Sequence, residues 1–297
     1  MTVAAERPVA PSTTTAIGRR ERRARRVSES HGPAAVALTL LSWALGLAFF
    51  FPIIWMVLLS FRQEADAATP KLFAAFTGTN YSGLWSGNVR ISLINSMWAS
   101  GFSTLFVIVL AVPAAYALSI RPVFKWRDSL FFFLSTKMMP IVAALLPVYL
   151  ITNNLKLNDN IWVLVVMYMA ANLPIAIWML RSFLLEVPRE IIEAAQVDGA
   201  GFLTILIRII RPIITPGLAA TALICFIFSW NEFLFALRLT GQNAKTAPVL
   251  LAGSIAPEGL FLAHLCAVAV VVCLPVLIAG WAAQDKLVRG LSLGAVK

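Results

Sequence analysis

Charge is the first thing this sequence lacks. Only 13% of its 297 residues are Asp, Glu, Lys or Arg, about half the share of a soluble domain. Too few charged groups remain to cover a water-facing surface, so a soluble globular chain is excluded. Cysteine is scarce too. Three in so long a chain exclude a disulfide-stapled module. Only two histidines occur, His31 and His264, far apart, and the cysteines have no chelating spacing and no neighbouring His pair, so no zinc or haem site is expected. No GxxxxGK[ST] phosphate loop or HExxH is found, and carboxylates do not cluster. What is abundant is apolar side chain, at 60%. Disordered chains are poor in such residues, so disorder is excluded as well. An integral membrane protein remains.

The gaps between charges locate the spans. Residues 30–61, 91–120, 160–180, 212–231 and 259–284 carry no Asp, Glu, Lys or Arg, and 129–155 carry only Lys137. A hydrocarbon core about 30 Å thick needs roughly 20 helical residues. Helix is required because backbone polar groups find no water in lipid. Six spans are predicted, near 34–60, 92–120, 129–152, 161–185, 212–237 and 260–283. The class is all-α, a polytopic membrane protein.

Basic residues set the orientation. With the N-terminus in the cytoplasm, the inner segments 1–33, 121–128, 181–211 and 284–297 hold seventeen Lys and Arg. The outer segments hold six. This positive-inside bias places both termini in the cytoplasm. The run Arg19-Arg20-Glu21-Arg22-Arg23-Ala24-Arg25-Arg26 is expected to be a solvated anchor beside the first span, meeting anionic lipid, and not a nucleic-acid patch. Residues 1–33 are expected to be a disordered basic tail, and 284–297 a C-terminal cytoplasmic tail. A cleaved signal peptide does not fit, since the apolar run is too long and lacks a small-residue cleavage site. Cys225, Cys266 and Cys273 fall within spans and read as small apolar fillers.

The cytoplasmic loop 186–211 is the most informative segment. Pro188 suits the first turn of a helix. Glu190 and Glu193 add negative charge near that turn, where the helix dipole favours it. Ile191, Ile192, Ala194 and Ala195 form a short apolar face, and Asp198-Gly199 can end the helix in a left-handed turn. A second helix is expected to resume at Phe202. From the residues alone, such a helix could fill another protein's groove or lie on the membrane surface.

Glu193-Ala194-Ala195, then Gly199, Ile209 and Pro212 at the family's spacing, resembles the EAA loop of permease subunits of binding-protein-dependent ABC importers. Arg211 stands where that pattern has leucine, while Asp198 and Ala200 fit its common extension. Other stretches are similar to the carbohydrate branch: Pro113-Ala114-Ala115-Tyr116-Ala117-Leu118, Ser229-Trp230-Asn231-Glu232-Phe233, and the tail from Leu287 to Lys297, which looks like that of maltose-type second permeases. Thr136-Lys137-Met138-Met139-Pro140 resembles transporters of mannitol- or sorbitol-like polyols.

The resemblance implies a type I ABC importer permease fold in a bacterial inner membrane. It implies a transport subunit, not an enzyme, with no cofactor in this chain and with ATP and Mg held by partner ATPase subunits. The implied partners are a second permease, two ATPase subunits, an external solute-binding protein and the bilayer, with no nucleic acid. Glu193, Ala194, Ala195, Asp198, Gly199, Ala200 and Phe202 would form the ATPase-coupling helix and its turn. An ion-coupled secondary transporter and a membrane scaffold are the rival readings.

A sugar or polyol needs hydrogen-bonding groups and aromatic faces along its path. Lys137, Asn172, Trp230, Asn231 and Glu232 are the solute-path candidates; Thr136, Tyr149 and Trp178 are further possibilities. A lysine mid-span costs about 2.5–3.5 kcal/mol on insertion scales. Lys137 should therefore pair, with Glu232 a possible partner, or line a wet cavity, or snorkel. Asn172 precedes Leu173-Pro174 and could instead satisfy backbone freed by the proline.

Overall fold

The computed structural model describes residues 33–67, 69, 75–85, 87–120, 123–254 and 261–295, with side chains from Ala35 to Gln284. The basic run at 19–26 and the rest of the expected N-terminal tail lie outside the described residues, as do the side chains of the expected C-terminal tail. Eleven helices serve the description. They are α1 (Pro33–Ser60), α2 (Asn88–Ser119), α3 (Trp126–Met138), α4 (Ile141–Asn154), α5 (Ile161–Leu184), α6 (Arg189–Val197), α7 (Phe202–Ile213), α8 (Thr215–Trp230), α9 (Leu234–Leu239), α10 (Ala247–Gly253) and α11 (Leu262–Ala295). Helical turns at Glu64–Ala67 and Thr79–Ser82 lie between α1 and α2. Among the described residues the only β pairing is an isolated bridge between Arg62 and Phe76.

The chain divides into two compact units, residues 1–55 and 56–297. The first contributes most of α1. There Thr39 and Ser42 donate to the carbonyls of Ala35 and Leu38, at 2.9 and 2.8 Å. Such back-bonding hides hydroxyls from lipid.

In the second unit α2 and α5 pack along each other most extensively, and α8 lies against both and against α11. Small residues permit the approach: Ala99, Ser100, Ser103, Ala111 and Ala115 on α2 are wholly buried. Gly217 at the start of α8 is the tightest case, because a Cβ there would overlap the ring of Phe183 on α5.

Among the described residues, four helices are long and apolar enough to cross a membrane: Ala35–Ser60, Asn88–Ser119, Ile161–Leu184 and Leu262–Gln284. Two bent pairs bring the number to six. The expected third span, 129–152, is not one rod. It is α3 and α4, bent by 87° at Met139-Pro140. Pro140 has no N–H to donate and pushes the residue before it out of helical geometry, so Met139 is extended (φ −66°, ψ 131°). The expected fifth span, 212–237, also differs. Its first residues belong to α7, which meets α8 at 86° beside Pro216. At its other end the helix stops at Trp230, and α9 follows after a break at residues 231–233.

Candidate functional site

Two places carry polar or exposed groups that a buried helix bundle does not need. The first is α6, the expected coupling helix. One side of it is buried: Ile192 and Ala195 face inward, while Glu190, Glu193 and the apolar Ile191, Ala194 and Val197 are exposed. The buried pair joins a core made with Val187, Leu184, Ile205, Leu206 and Ile210, so the helix is fixed to the spans behind it. Pro188 sits one residue earlier than expected, at the cap position before Arg189.

The end of α6 is closed by main chain. Gly199 N–H donates to the Gln196 carbonyl at 3.0 Å and Ala200 N–H to the Ala195 carbonyl at 2.9 Å, with Gly199 at φ 79°. This is the Schellman pattern, and a side chain at that φ would be strained. Ala200 packs on the same core. Phe202 opens α7 and sets its ring edge-on to buried Tyr116, with centroids 5.5 Å apart. Residues 205–210 of α7 are wound as π-helix, a form that recurs at functional sites. Asp198, Glu193 and Arg211 face outward.

The second place is a cavity of about 430 Å³ between α3, α5 and the α8–α9 break. Lys137, Asn172, Asn231 and Glu232 all line it, with Tyr168, Ala171, Ser229, Phe228 and Phe233. Four of the five expected solute-path residues are thus gathered on one space. The Lys137 ammonium donates to the Ala171 carbonyl at 3.1 Å and stands 5.3 Å from the centre of the Phe228 ring. Its partners are these groups and not the Glu232 carboxylate. Glu232 turns the other way. Its two oxygens accept from the N–H groups of Phe235 and Ala236, at 3.0 and 3.2 Å, and so cap α9. The buried hydroxyl of Tyr168 lies beside this carboxylate without a well-aligned bond to it.

Asn172 does not serve the backbone near Pro174 with its amide nitrogen. It donates to Ser229 Oγ at 2.9 Å, and Ser103 Oγ donates to the same oxygen at 3.0 Å. Three helices are joined there by one buried hydroxyl. Asn231 caps its own helix, donating to the Ile227 carbonyl at 2.8 Å. Trp230 is placed elsewhere. One residue from Ser229, it points to a different face of α8, is buried, and stacks on Phe226 among Leu84, Ala267 and Val268. Thr136, Tyr149 and Trp178 do not line the cavity either. The reading of the sequence passed over Tyr168 and Ser229. Tyr168 had a signal, since it lies one helical turn before Asn172 and shares its face.

A third feature orders the end of the bundle away from α6. Asp159, in the turn between α4 and α5, accepts four bonds from residues 241–244. The donors are Gly241 N, Ala244 N, Asn243 N and Asn243 Nδ2, at 2.7–3.0 Å. Burial opposes its charge, but these donors outweigh it and hold the carboxyl below its ordinary pKa. Asn95 of α2 grips the same loop by the carbonyls of Asn243 and Lys245.

The cysteines make no disulfide: Cys225 is buried, Cys266 partly so and Cys273 exposed. No group of three or more His, Cys, Asp or Glu among the described residues could hold a metal.

The model of the family described as "Binding-protein-dependent transport system inner membrane component" matches residues 107–290, from the middle of α2 to the last helix. A probable ABC transporter permease of Sinorhizobium fredii is 34% identical over 262 residues, covering 87% of this chain and 94% of that protein. The trehalose transport system permease SugB of Mycobacterium tuberculosis is 33% identical over 256 residues, with 83% and 92% covered. Among solved structures, a chain of a bacterial ABC transporter involved in alginate import superposes with a TM-score of 0.73 at 23% identity, covering 85% of this chain and 96% of that one. The bent, all-helical membrane bundle with a projecting capped helix is therefore that of an importer's membrane subunit. The chain belongs to the inner membrane component family of binding-protein-dependent transport systems. It is a transport subunit of the inner membrane, and in this family ATP hydrolysis falls to a separate subunit.

Proposed function

We propose that this chain forms one side of the path for a sugar or sugar alcohol, delivered by an extracytoplasmic binding protein. The observation that carries the reading is the cavity. It offers an ammonium, two amides, a hydroxyl and a phenol beside the rings of Phe228 and Phe233, the mixture that suits a neutral polyhydroxylated solute. Its relatives' names support the same class, for they include permeases for melibiose, raffinose and stachyose, for trehalose, and for trehalose and maltose. Both termini are placed in the cytoplasm by the positive-inside bias, which puts α6 there as well.

In this reading α6 seats in a groove of an ATPase subunit, with Glu193, Ala194 and Ala195 on the docking helix and Asp198 to Phe202 as its turn. A second permease completes the path, and two ATPase subunits bind ATP and Mg. Closure of the ATPases pushes α6. The buried contacts of Ile192 and Ala195 pass that motion to α5 and α7.

The test is reconstitution of the full assembly, with ATP hydrolysis and uptake measured against binding proteins loaded with a panel of sugars and polyols. Stimulation by at least one loaded binding protein is expected. Uptake that ignores ATP and follows a proton or sodium gradient would sink the proposal in favour of a secondary transporter.

A further inference from the structure

We infer that Arg127 and Arg181, set around Trp126, form a binding site for the phosphate of an anionic phospholipid at the α6 end of the bundle. The Arg181 guanidinium lies 4.7 Å from the centre of the Trp126 ring and that of Arg127 lies 5.3 Å from it. Two cations share one indole. Each gains from the ring, but they repel one another, and among the described residues no carboxylate pairs with either. Asp128 follows Arg127 and is exposed in the first turn of α3, yet it is bonded to neither guanidinium. Arg181 is held in place by a bond from its Nε to the Leu118 carbonyl at 3.3 Å, and its Nη groups make no hydrogen bond among the described residues. Trp126 itself is half-buried against the core that anchors α6.

The surroundings select a lipid over a soluble anion. Phe124 is 89% exposed and Phe131 and Phe132 are 75% and 62% exposed. Lys125, whose Nζ lies 5.6 Å from the Phe124 ring, adds a third cation. Apolar rings beside unpaired cations at the end of a span match the place where a phosphate meets its acyl chains. A guanidinium binds phosphate through paired donors, which an ammonium cannot do. The site shares the core of α6, so a bound lipid would brace the coupling helix from the membrane side.

The inference stands apart from the solute class and can be tested without it. Native mass spectrometry of the complete importer in detergent would be titrated with phosphatidylglycerol, phosphatidylcholine or inorganic phosphate. Phosphatidylglycerol is expected to bind more tightly than phosphatidylcholine by about fivefold for each engaged arginine. R127Q, which leaves the Arg181 anchor intact, should lose about fivefold of that preference, and R127Q/R181Q nearly all of it. K156Q, in the turn at the other end of α5, should keep it. Equal preference in the wild type and in R127Q would overturn the inference. So would displacement of the lipid by inorganic phosphate at matched concentration, which would make the site one for a soluble anion.

Discussion

The two elbows of the bundle bend by nearly the same angle, 87° between α3 and α4 and 86° between α7 and α8. Both are built at a proline. Their neighbours differ completely. At the first, the residues from Ser135 to Val142 are exposed, and Lys137 reaches into the cavity. At the second, Ile205, Leu206, Ile210 and Ile214 are buried, and the core continues into α6. One backbone device thus serves two ends. In the function proposed above, the unpacked elbow opens a place for a solute and the packed one becomes a lever. The sequence of each elbow decides which, through the share of apolar side chains on its inner face.

The largest expected effect breaks the lever. Scrambling residues 193–199 should abolish solute-stimulated ATP hydrolysis, a fall of more than tenfold, while the permease still inserts in the membrane. Gly199→Val alone should weaken coupling through about 1–2 kcal/mol of strain at φ 79°. Hydrolysis by the assembled complex with loaded binding protein checks both.

The open elbow is expected to respond differently. Lys137→Ala or Glu232→Gln should lower uptake about tenfold, the order of one charge-assisted hydrogen bond, without lowering basal ATP hydrolysis. Uptake at matched membrane levels decides it, and normal uptake in both variants would remove this chain from the solute's path.

Stability sharpens the contrast further. Gly217→Ala forces a methyl into the Phe183 ring and should cost about 1–3 kcal/mol. Gly217→Ala combined with Phe183→Leu should recover part of it, read as thermal unfolding of the purified assembly. Ser229→Ala leaves Asn172 and Ser103 without their shared acceptor and should cost about 1–2 kcal/mol.

The smallest effect falls at the far loop. The Asp159 carboxyl is held below its ordinary pKa, so its contribution is present above the unfolded value and is lost as pH falls through the folded one. The clamp on residues 241–244 should hold at neutral and mildly acid pH and release only below the usual carboxylate range. Asp159→Asn should weaken it by on the order of 1 kcal/mol at neutral pH, since solvent screens a half-buried group, and should match the wild type once the wild-type carboxyl is protonated. Faster hydrogen exchange at Gly241, Asn243 and Ala244 is the measurement.

Much of this was legible in the residues. Charge gaps gave the helical membrane bundle, because lipid excludes charge so strongly. Pro188, the carboxylates after it and Asp198-Gly199 located α6 and its glycine cap, since a local turn is written locally. Lys137, Asn172, Asn231 and Glu232 stood out because each is polar inside a span. Their convergence was not legible, because it depends on the elbows, and hydropathy does not distinguish a bent span from a straight one. Trp230 shows the same limit from the other side. Next to Ser229 in the chain, it faces away because neighbouring residues on a helix point about 100° apart.

Main-chain closure of α6 separates two properties that a docking element usually has to trade. The direction in which the rod leaves the bundle is held by amide-to-carbonyl links at Ala195, Gln196, Gly199 and Ala200. Its outward surface at Glu190, Glu193 and Ala194 carries none of that burden. Under the docking role proposed above, those positions can be re-cut to suit a different ATPase partner while the aim stays fixed.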